Sequence, residues 1–478
     1  MTPFWKQCFA VSSVTLNTIS SGMCIGFNAS LFSDLRRSRE IHLDKDSESW
    51  LASLIGITTL IGCLFTSLII DRIGRRPAVL ISSVLMVCGW ITFSLASSFS
   101  ALLLAKIFQG TSVGLGTTMG GILIAEYSSP KYRGSFIATK PTAMLIGITT
   151  SHLLGLFYNW SHISLILLFC SLPGLIIPIF TPESPTFLAT KGRYDECRKV
   201  FRWLRGPEDD DEVEKIIEAD MIVKKPKKSY TKNVPKLIKE NLTYFIMSFK
   251  KREFYIPVFI AIHLNAIFQF SGAIVYDSYP LDIHTALYGT DIYMVKVIAS
   301  LDMERMLSTA LAIYLTSRIR RRPLLFAFVG LNVLAFLCVA GYIYARRHNL
   351  LPFDHIAIVI FLQHFHMFTS GAGATSLTTI LSNELYPMAN RGLCGLICNA
   401  FFSIYMFVNI KTAPYLFSLI GVDGTFCAYA VVLFYSLVVS YYMVPETKDK
   451  TLQEIEDKLR GYSITHRGEA MKLKDVEF

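Results

Sequence analysis

Twelve apolar runs, each about 20 residues long and set apart by charged breaks, decide what this chain can fold into. They lie at 8–31, 50–70, 77–97, 100–127, 135–157 and 161–181, and then at 254–279, 293–316, 323–345, 354–382, 393–420 and 424–444. A hydrocarbon layer about 30 Å thick is crossed by about 20 residues of helix, and a helix satisfies its own backbone there. The runs therefore predict an all-α membrane protein with twelve transmembrane helices. The stretch 182–252 is polar and rich in both signs, with helical patterns at 193–204 and 211–223. It divides the chain into an N-terminal six-helix half (1–181), a cytoplasmic linker with short helices (182–252), a C-terminal six-helix half (253–444) and a cytoplasmic tail (445–478).

Hydrophobic residues make up 52% of the chain and charged residues 17%, with 46 Lys and Arg against 36 Asp and Glu. In a soluble protein the net charge of +10 would point toward nucleic acid. Here the basic residues sit in the breaks, so they read as topology charges facing cytoplasm and anionic lipid, with no nucleic-acid partner. Lys224, Lys225, Lys227 and Lys228 fit either contact with anionic lipid or a solvated linker. The ten cysteines are scattered, several inside apolar runs (Cys24, Cys63, Cys88, Cys170, Cys338), without metal-ligand or paired spacing. The expectation is no metal and no cofactor. No nucleophile or phosphate-loop motif suggests an enzyme. The first run lacks a small-residue cleavage site and reads as the first helix, not as a signal peptide.

Orientation follows from the breaks. Arg72, Arg75 and Arg76 follow the second run, Lys131 and Arg133 the fourth, Arg318, Arg320, Arg321 and Arg322 the eighth, and Arg391 the tenth. These breaks and both termini are thus expected in the cytoplasm. The break after the first run is mixed, with Arg36, Arg37, Arg39 and Lys45 beside Asp34, Glu40, Asp44, Asp46 and Glu48.

The chain repeats itself. Glu126…Arg133-Gly134 recurs as Glu384…Arg391-Gly392, an offset of 258; Pro182-Glu183-Ser184 recurs as Pro445-Glu446-Thr447, an offset of 263. Asp71-Arg-Ile-Gly-Arg75-Arg76 has a worn counterpart in Ser317-Arg-Ile-Arg-Arg321-Arg322, an offset of 246. Three landmarks in one order, at nearly one spacing, describe a duplicated six-helix unit. Transporters built this way bind substrate between the halves near the midplane.

With Lys191-Gly-Arg193 and the Pro445-Glu-Thr-Lys448 exit, these motifs resemble those of the sugar porter family of the major facilitator superfamily, over nearly the whole chain. The resemblance implies gating by charges at the cytoplasmic helix ends: Asp71, Arg75, Arg76, Glu126, Arg133, Glu183, Arg193, Glu384, Arg391 and Glu446. Such charges can pair across the halves when the inner side is closed, and so bias the two access states.

The implied sugar site is altered. Gly26-Phe27-Asn28 is similar to the family's Gly-aromatic-polar site, where proton-coupled members carry Asp. Asn28 cannot titrate there, which implies uniport. Lys140-Pro141-Thr142 stands where many glucose porters have a Gln, and resembles the insect-type facilitated trehalose transporters. Phe268-Gln269-Phe270-Ser271-Gly272 keeps one Gln of the family's pair, and Ile274 replaces its Asn. The segment 373–379, ending in Thr379, replaces a Pro-rich stretch that ends in Trp. Lys106…Gln109-Gly110, with Gly114, Gly116, Gly120 and Gly121, reads first as close helix packing.

Asp302, Glu304 and Arg305 lie inside the eighth run, Arg305 being 13 residues from Arg318. That is about 20 Å of helix, a depth at which a charge needs a cavity or a partner. Asp302 and Arg305 can pair at i, i+3; alternatively Arg305 points into the cavity and favours an acidic substrate. His364 and His366 could titrate in the cavity, but read first as satisfied membrane histidines. The substrate-binding set expected is Asn28, Gln269, Ser271, Arg305 and Thr379. The function expected is facilitative transport of a small sugar, trehalose or a hexose, by a monomer in the plasma membrane. The alternatives are a transport-impaired sensor and a carrier of an organic anion.

Overall fold

The computed structural model describes residues 2–38, 41, 43–206, 210–223, 249–288, 294–351, 354–387, 391–450, 452–464 and 470–472. Lys224, Lys225, Lys227 and Lys228 lie outside these. The first six spans are α1 (Pro3–Ser38), α2 (Lys45–Arg72), α3 (Arg75–Ser94), α4 (Phe99–Tyr127), α5 (Pro130–Leu154) and α6 (Trp160–Phe180). Three short helices follow, α7 (Pro185–Thr190), α8 (Tyr194–Arg205) and α9 (Asp210–Val223). The seventh span is broken into α10 (Arg252–Phe270), α11 (Ala273–Ser278) and α12 (Pro280–Tyr288). The eighth and ninth are α13 (Met294–Arg318) and α14 (Arg321–Arg347). The tenth is α15 (Ile356–Thr369), a wide π turn at Ser370–Thr375, and α16 (Ser376–Leu385). The last two are the arms of α17 (Arg391–Met443), which turns at Gly421 (φ 78°). A short helix, α18 (Leu452–Arg460), and an antiparallel pair of strands, β1 (Tyr462–Ile464) and β2 (Ala470–Lys472), complete the described chain.

The apolar runs and these spans coincide to within a few residues, except where polar chemistry intervenes. The run 254–279, read from the residues as one span, breaks at Gly272, whose φ is 96°. A Cβ there would lie 2.5 Å from the His366 ring and 2.8 Å from Phe336, so only glycine fits both the backbone and the space. Nine helices among the described residues are long and apolar enough to cross a membrane; α5 and α13 are not among them. Lys131, Arg133 and Lys140 lower the apolarity of α5, and Lys296, Asp302, Glu304 and Arg305 that of α13.

Within the N-terminal half, α1 and α5 touch backbone to backbone. A Cβ on Gly22 would lie 2.0 Å from the Met144 carbonyl oxygen, and one on Gly147 2.0 Å from that of Ile19. Gly110 and Gly114 let α4 approach α2 in the same way, against Thr58 and Thr59, as the small-residue spacing predicts. Phe27, Trp90 and Phe93 fill the core beside this contact, with ring centroids 5.3 Å (Phe27–Trp90) and 5.1 Å (Phe27–Phe93) apart.

An even number of spans returns both termini to one end of the bundle, called here the terminal end; the other is the outer end. The helices α7–α9 pack at the terminal end, where Gln7 of α1 donates to the Leu204 carbonyl and accepts from the Ser129 N–H.

Candidate functional site

At the terminal end each half carries the same three-residue device. In the N-terminal half the Glu183 carboxylate accepts from the backbone N–H groups of Arg75 (3.0 Å) and Arg76 (3.1 Å), capping α3 at its positive end. The Arg75 side chain meets Glu126 at 3.4 Å. In the C-terminal half Glu446 accepts from the N–H groups of Arg321 and Arg322, both at 3.1 Å, and the Arg321 guanidinium lies 2.5 Å from Glu384. Lys191 donates to the Asp71 carbonyl (3.1 Å) as Lys448 does to that of Arg318 (2.6 Å).

The charges expected to pair across the halves when the inner side is closed, Arg75, Glu126 and Glu183 with their counterparts, are paired inside their own half in this structure. The physical reason is the cap: with Glu183 bound to the first N–H groups of α3, the Arg75 stem starts beside Glu126. Burial pushes the Glu446 carboxyl up, but N–H donors from Lys448, Arg322, Arg321 and Thr447 outweigh it and hold that group below the ordinary carboxylate range. Arg76 reaches the Pro178 carbonyl (3.1 Å). Arg193 pairs with Glu196 on the exposed face of α8. Asp71 is exposed and Arg133 half-buried at the start of α5, while the side chain of Arg391 lies outside the described residues.

The outer end is arranged differently, for there the contacts cross between halves. Arg36 binds Glu48 of its own half (3.0 Å) and Asp282 of the other (3.1 Å). Lys411 reaches Asp46 at 2.8 Å and lies 4.3 Å over the Trp50 ring. Tyr415 also donates to Asp46, and the Ser49 hydroxyl to the Lys411 carbonyl (2.9 Å). Phe32 stacks on Tyr279 with 6.2 Å between centroids. Toward the terminal end, Asn399 donates to Thr118 over a longer 3.4 Å.

Between these ends lie the polar groups of the bundle centre. Asn28 is fully buried, and its amide oxygen accepts from the Lys106 ammonium at 2.6 Å. Lys106, 0% exposed, has the Cys24 carbonyl at 3.4 Å and the Phe93 ring face at 5.4 Å as its other neighbours. Gln109 accepts from the Cys24 thiol at 2.9 Å. In the C-terminal half Gln269 donates to the Phe402 carbonyl (3.2 Å), and Asn409 donates to the Gln269 carbonyl (2.5 Å). The amide oxygens of Gln269 and Asn409 have no partner among the described residues. Ser271 donates to Phe268 and accepts from Ser370 (3.0 Å). Thr379 is exposed and bonds within its own helix to the Thr375 carbonyl (2.8 Å).

Arg305 is not a bare cation. Asp277 of α11 takes its guanidinium through both oxygens, at 2.5 and 3.2 Å, while Asp302, the neighbour predicted from i, i+3 spacing, stands 3.8 Å away. Asp302 is engaged elsewhere: its carboxylate lies 2.7 Å from Nδ1 of His152 on α5, in the other half. His364 lies 3.9 Å from Glu304, and His366 packs 4.1 Å from the Phe336 ring centroid. Sequence reasoning missed His152, Asp277 and Asn409, and placed Lys106 with helix packing. The available signal was that each is a polar or ionisable group inside an apolar run.

A family model described as sugar (and other) transporter matches residues 8–459. The chain belongs to the sugar transporter family. Among its relatives in that family, the facilitated trehalose transporter Tret1 of Drosophila yakuba is 25% identical over 480 residues, covering 99% of this chain and 54% of the relative. The Tret1 of Bombyx mori is 24% identical, over 96% of this chain and 88% of that one. The Arabidopsis thaliana sugar transporter ERD6-like 6 is 27% identical, covering 94% and 89%. The chain thus spans about half the length of the Drosophila yakuba relative. Among solved structures, the proton:xylose symporter XylE bound to 6-bromo-6-deoxy-D-glucose superposes with a TM-score of 0.73 at 17% identity, covering 94% of this chain and 99% of that one. The inward open conformation of XylE from E. coli gives 0.72 at the same identity and coverage. These likenesses establish the fold: the major facilitator architecture, two six-helix halves.

Proposed function

We propose that this protein is a facilitative carrier of a small sugar, trehalose or a hexose, working by alternating access. The observation that carries the reading is the division of contacts: charges and rings join the two halves at the outer end, whereas the duplicated charge sets at the terminal end close on their own half. That is the pattern of a carrier shut on one side of the membrane. The terminal end is assigned to the cytoplasm from the basic breaks, the membrane to the plasma membrane and the working unit to the monomer.

The polar groups of the centre suit a neutral, hydroxyl-rich substrate better than an anion. The unpartnered amide oxygens of Gln269 and Asn409 are buried acceptors of the kind a substrate hydroxyl satisfies, with Ser271 beside Gln269 on the same span. Asn28 presents its amide with the oxygen already held by Lys106, and Thr379 lies on the exposed face of α16. Arg305 serves through Asp277 instead of through substrate. Asn28 leaves the first span without a titratable carboxylate at that position, which supports uniport. In opening, Arg75, Glu126, Glu183 and their counterparts keep the terminal ends of α3 and α14 rigid.

The test is uptake of radiolabelled trehalose and glucose by cells expressing the full chain. Saturable uptake of either is the expected result. No saturable uptake of either sugar, with surface expression confirmed, overturns the reading.

A further inference from the structure

Four ionisable side chains meet in the outer third of the bundle, and they come from both halves. Asp277 and Arg305 form a two-oxygen pair; Asp302 lies 3.8 Å from that guanidinium and 2.7 Å from Nδ1 of His152. The side chains are almost fully covered, with 4% of His152 and 4% of Asp302 exposed. His284 of α12 also bears on the His152 ring. The facing groups are therefore Asp302 and Arg305 from α13, Asp277 from α11 and His284 from α12.

The charge count of this cluster is one short. Two carboxylates face one guanidinium, so a neutral imidazole leaves a net negative charge in a place water does not reach, and a protonated one cancels it. The ring is placed to take that proton. Its Nδ1–H donates to Asp302, while Nε2 is buried and has no partner among the described residues. A proton added at Nε2 makes the imidazolium, and leaving from Nε2 restores the neutral ring with the Asp302 bond intact.

The pair also spans the joint that must open. His152 sits in the last turn of α5, which the close contact of Gly22 with Gly147 fixes to α1. Asp302 belongs to α13 of the opposite half. Separating the halves at the outer end pulls the two apart and gives both water.

We propose that His152 and Asp302 form a proton-binding site shared between the two halves, filled when the outer end is closed and emptied when it opens. The inference rests on the alternating-access reading above. Protons then hold the carrier closed on the outside; they do not drive the substrate. Acid outside slows uptake, the opposite of a proton symporter.

The test needs no sugar, so its failure is separate from a failure of the substrate assignment. Nitroxide labels are introduced through non-canonical amino acids at exposed Phe157 and Leu419, one on each half at the outer end. Their distance distribution is read by double electron–electron resonance in nanodiscs from pH 5.5 to 8.5. The expected result is a population ratio of closed to open outer ends that falls about tenfold with rising pH, within the ordinary range of coupling between two sites. That dependence disappears in His152→Gln and in Asp302→Asn, two variants that each retain hydrogen-bonding capacity. It persists in Glu304→Gln, which removes the separate His364 neighbour. A distribution that does not respond to pH in the unsubstituted chain overturns the proposal. So does a response that survives both His152→Gln and Asp302→Asn, or one that only Glu304→Gln removes.

Discussion

Lys106 donates to Asn28 across 2.6 Å inside the N-terminal half, a buried ammonium held by an amide oxygen, a carbonyl and an aromatic face. A charge with only neutral acceptors around it is under-compensated. Asn28→Asp should therefore raise the thermal unfolding midpoint in detergent, by supplying the missing carboxylate. Asn28→Leu should lower stability by about 1.5–3 kcal/mol, the usual cost of losing a hydrogen bond to a charged group. Fluorescence-detected thermal melts of both variants check the pair.

Arg305 makes the converse case. Arg305→Gln leaves the Asp277 carboxylate buried without its partner and should also cost about 3–5 kcal/mol. The double variant Arg305→Gln with Asp277→Asn should recover most of that loss, because no charge remains uncompensated in the pair. Melting curves of the two single variants and the double close the cycle. An unchanged sugar preference in the double variant, measured in the uptake assay, is expected if Arg305 acts through Asp277.

The duplicated charge sets can be separated by coupling energies. A double-mutant cycle on Arg75 and Glu126 should give a coupling of about 0.5–3 kcal/mol, as residues in contact do. A cycle on Arg75 and Glu384, which belong to different halves, should give a value within about 0.5 kcal/mol of zero in the state closed at the outer end. Reading both cycles in one preparation tests whether the pairs are confined to their halves.

Glu446 predicts a dependence on acid. Its carboxyl titrates below the ordinary range in the folded chain, so the cap is fully present above the unfolded value of about 4.3. The contribution is lost as pH falls through the lower folded value. The stability difference between the natural chain and Glu446→Gln should be constant from neutral pH down to about 5 and shrink below about 4.3. Chemical denaturation at stepped pH measures it.

How much of this was readable from the residues depends on distance along the chain. The spans were legible because about 20 apolar residues between charges carry their own instruction. The Glu126 and Glu384 ends were legible because the pattern recurs within a few positions. The partners were not. The resemblance placed Glu126 and Arg75 in one gate, yet whether they close within a half or across it depends on how Glu183 caps α3 from the far side of α6. Asp302 does stand 3.8 Å from Arg305 three residues on, as expected, but its closer partner is His152, 150 residues away, because α5 and α13 lie side by side. Similarly, the seventh span reads as one run, and only the crowding of Gly272 by His366 and Phe336 shows why it must break there.

The modest apolarity of α5 and α13 carries a consequence for how the chain is made. Both helices fall short of the apolarity expected of a span that enters lipid by itself. Arg305 finds Asp277 on the span synthesised just before it, so the partner that neutralises α13 precedes it in the chain. Asp302 then closes on His152, which belongs to the half synthesised first. Biogenesis of the second half is in this sense templated by the first, and a C-terminal half synthesised alone should stall at its second span.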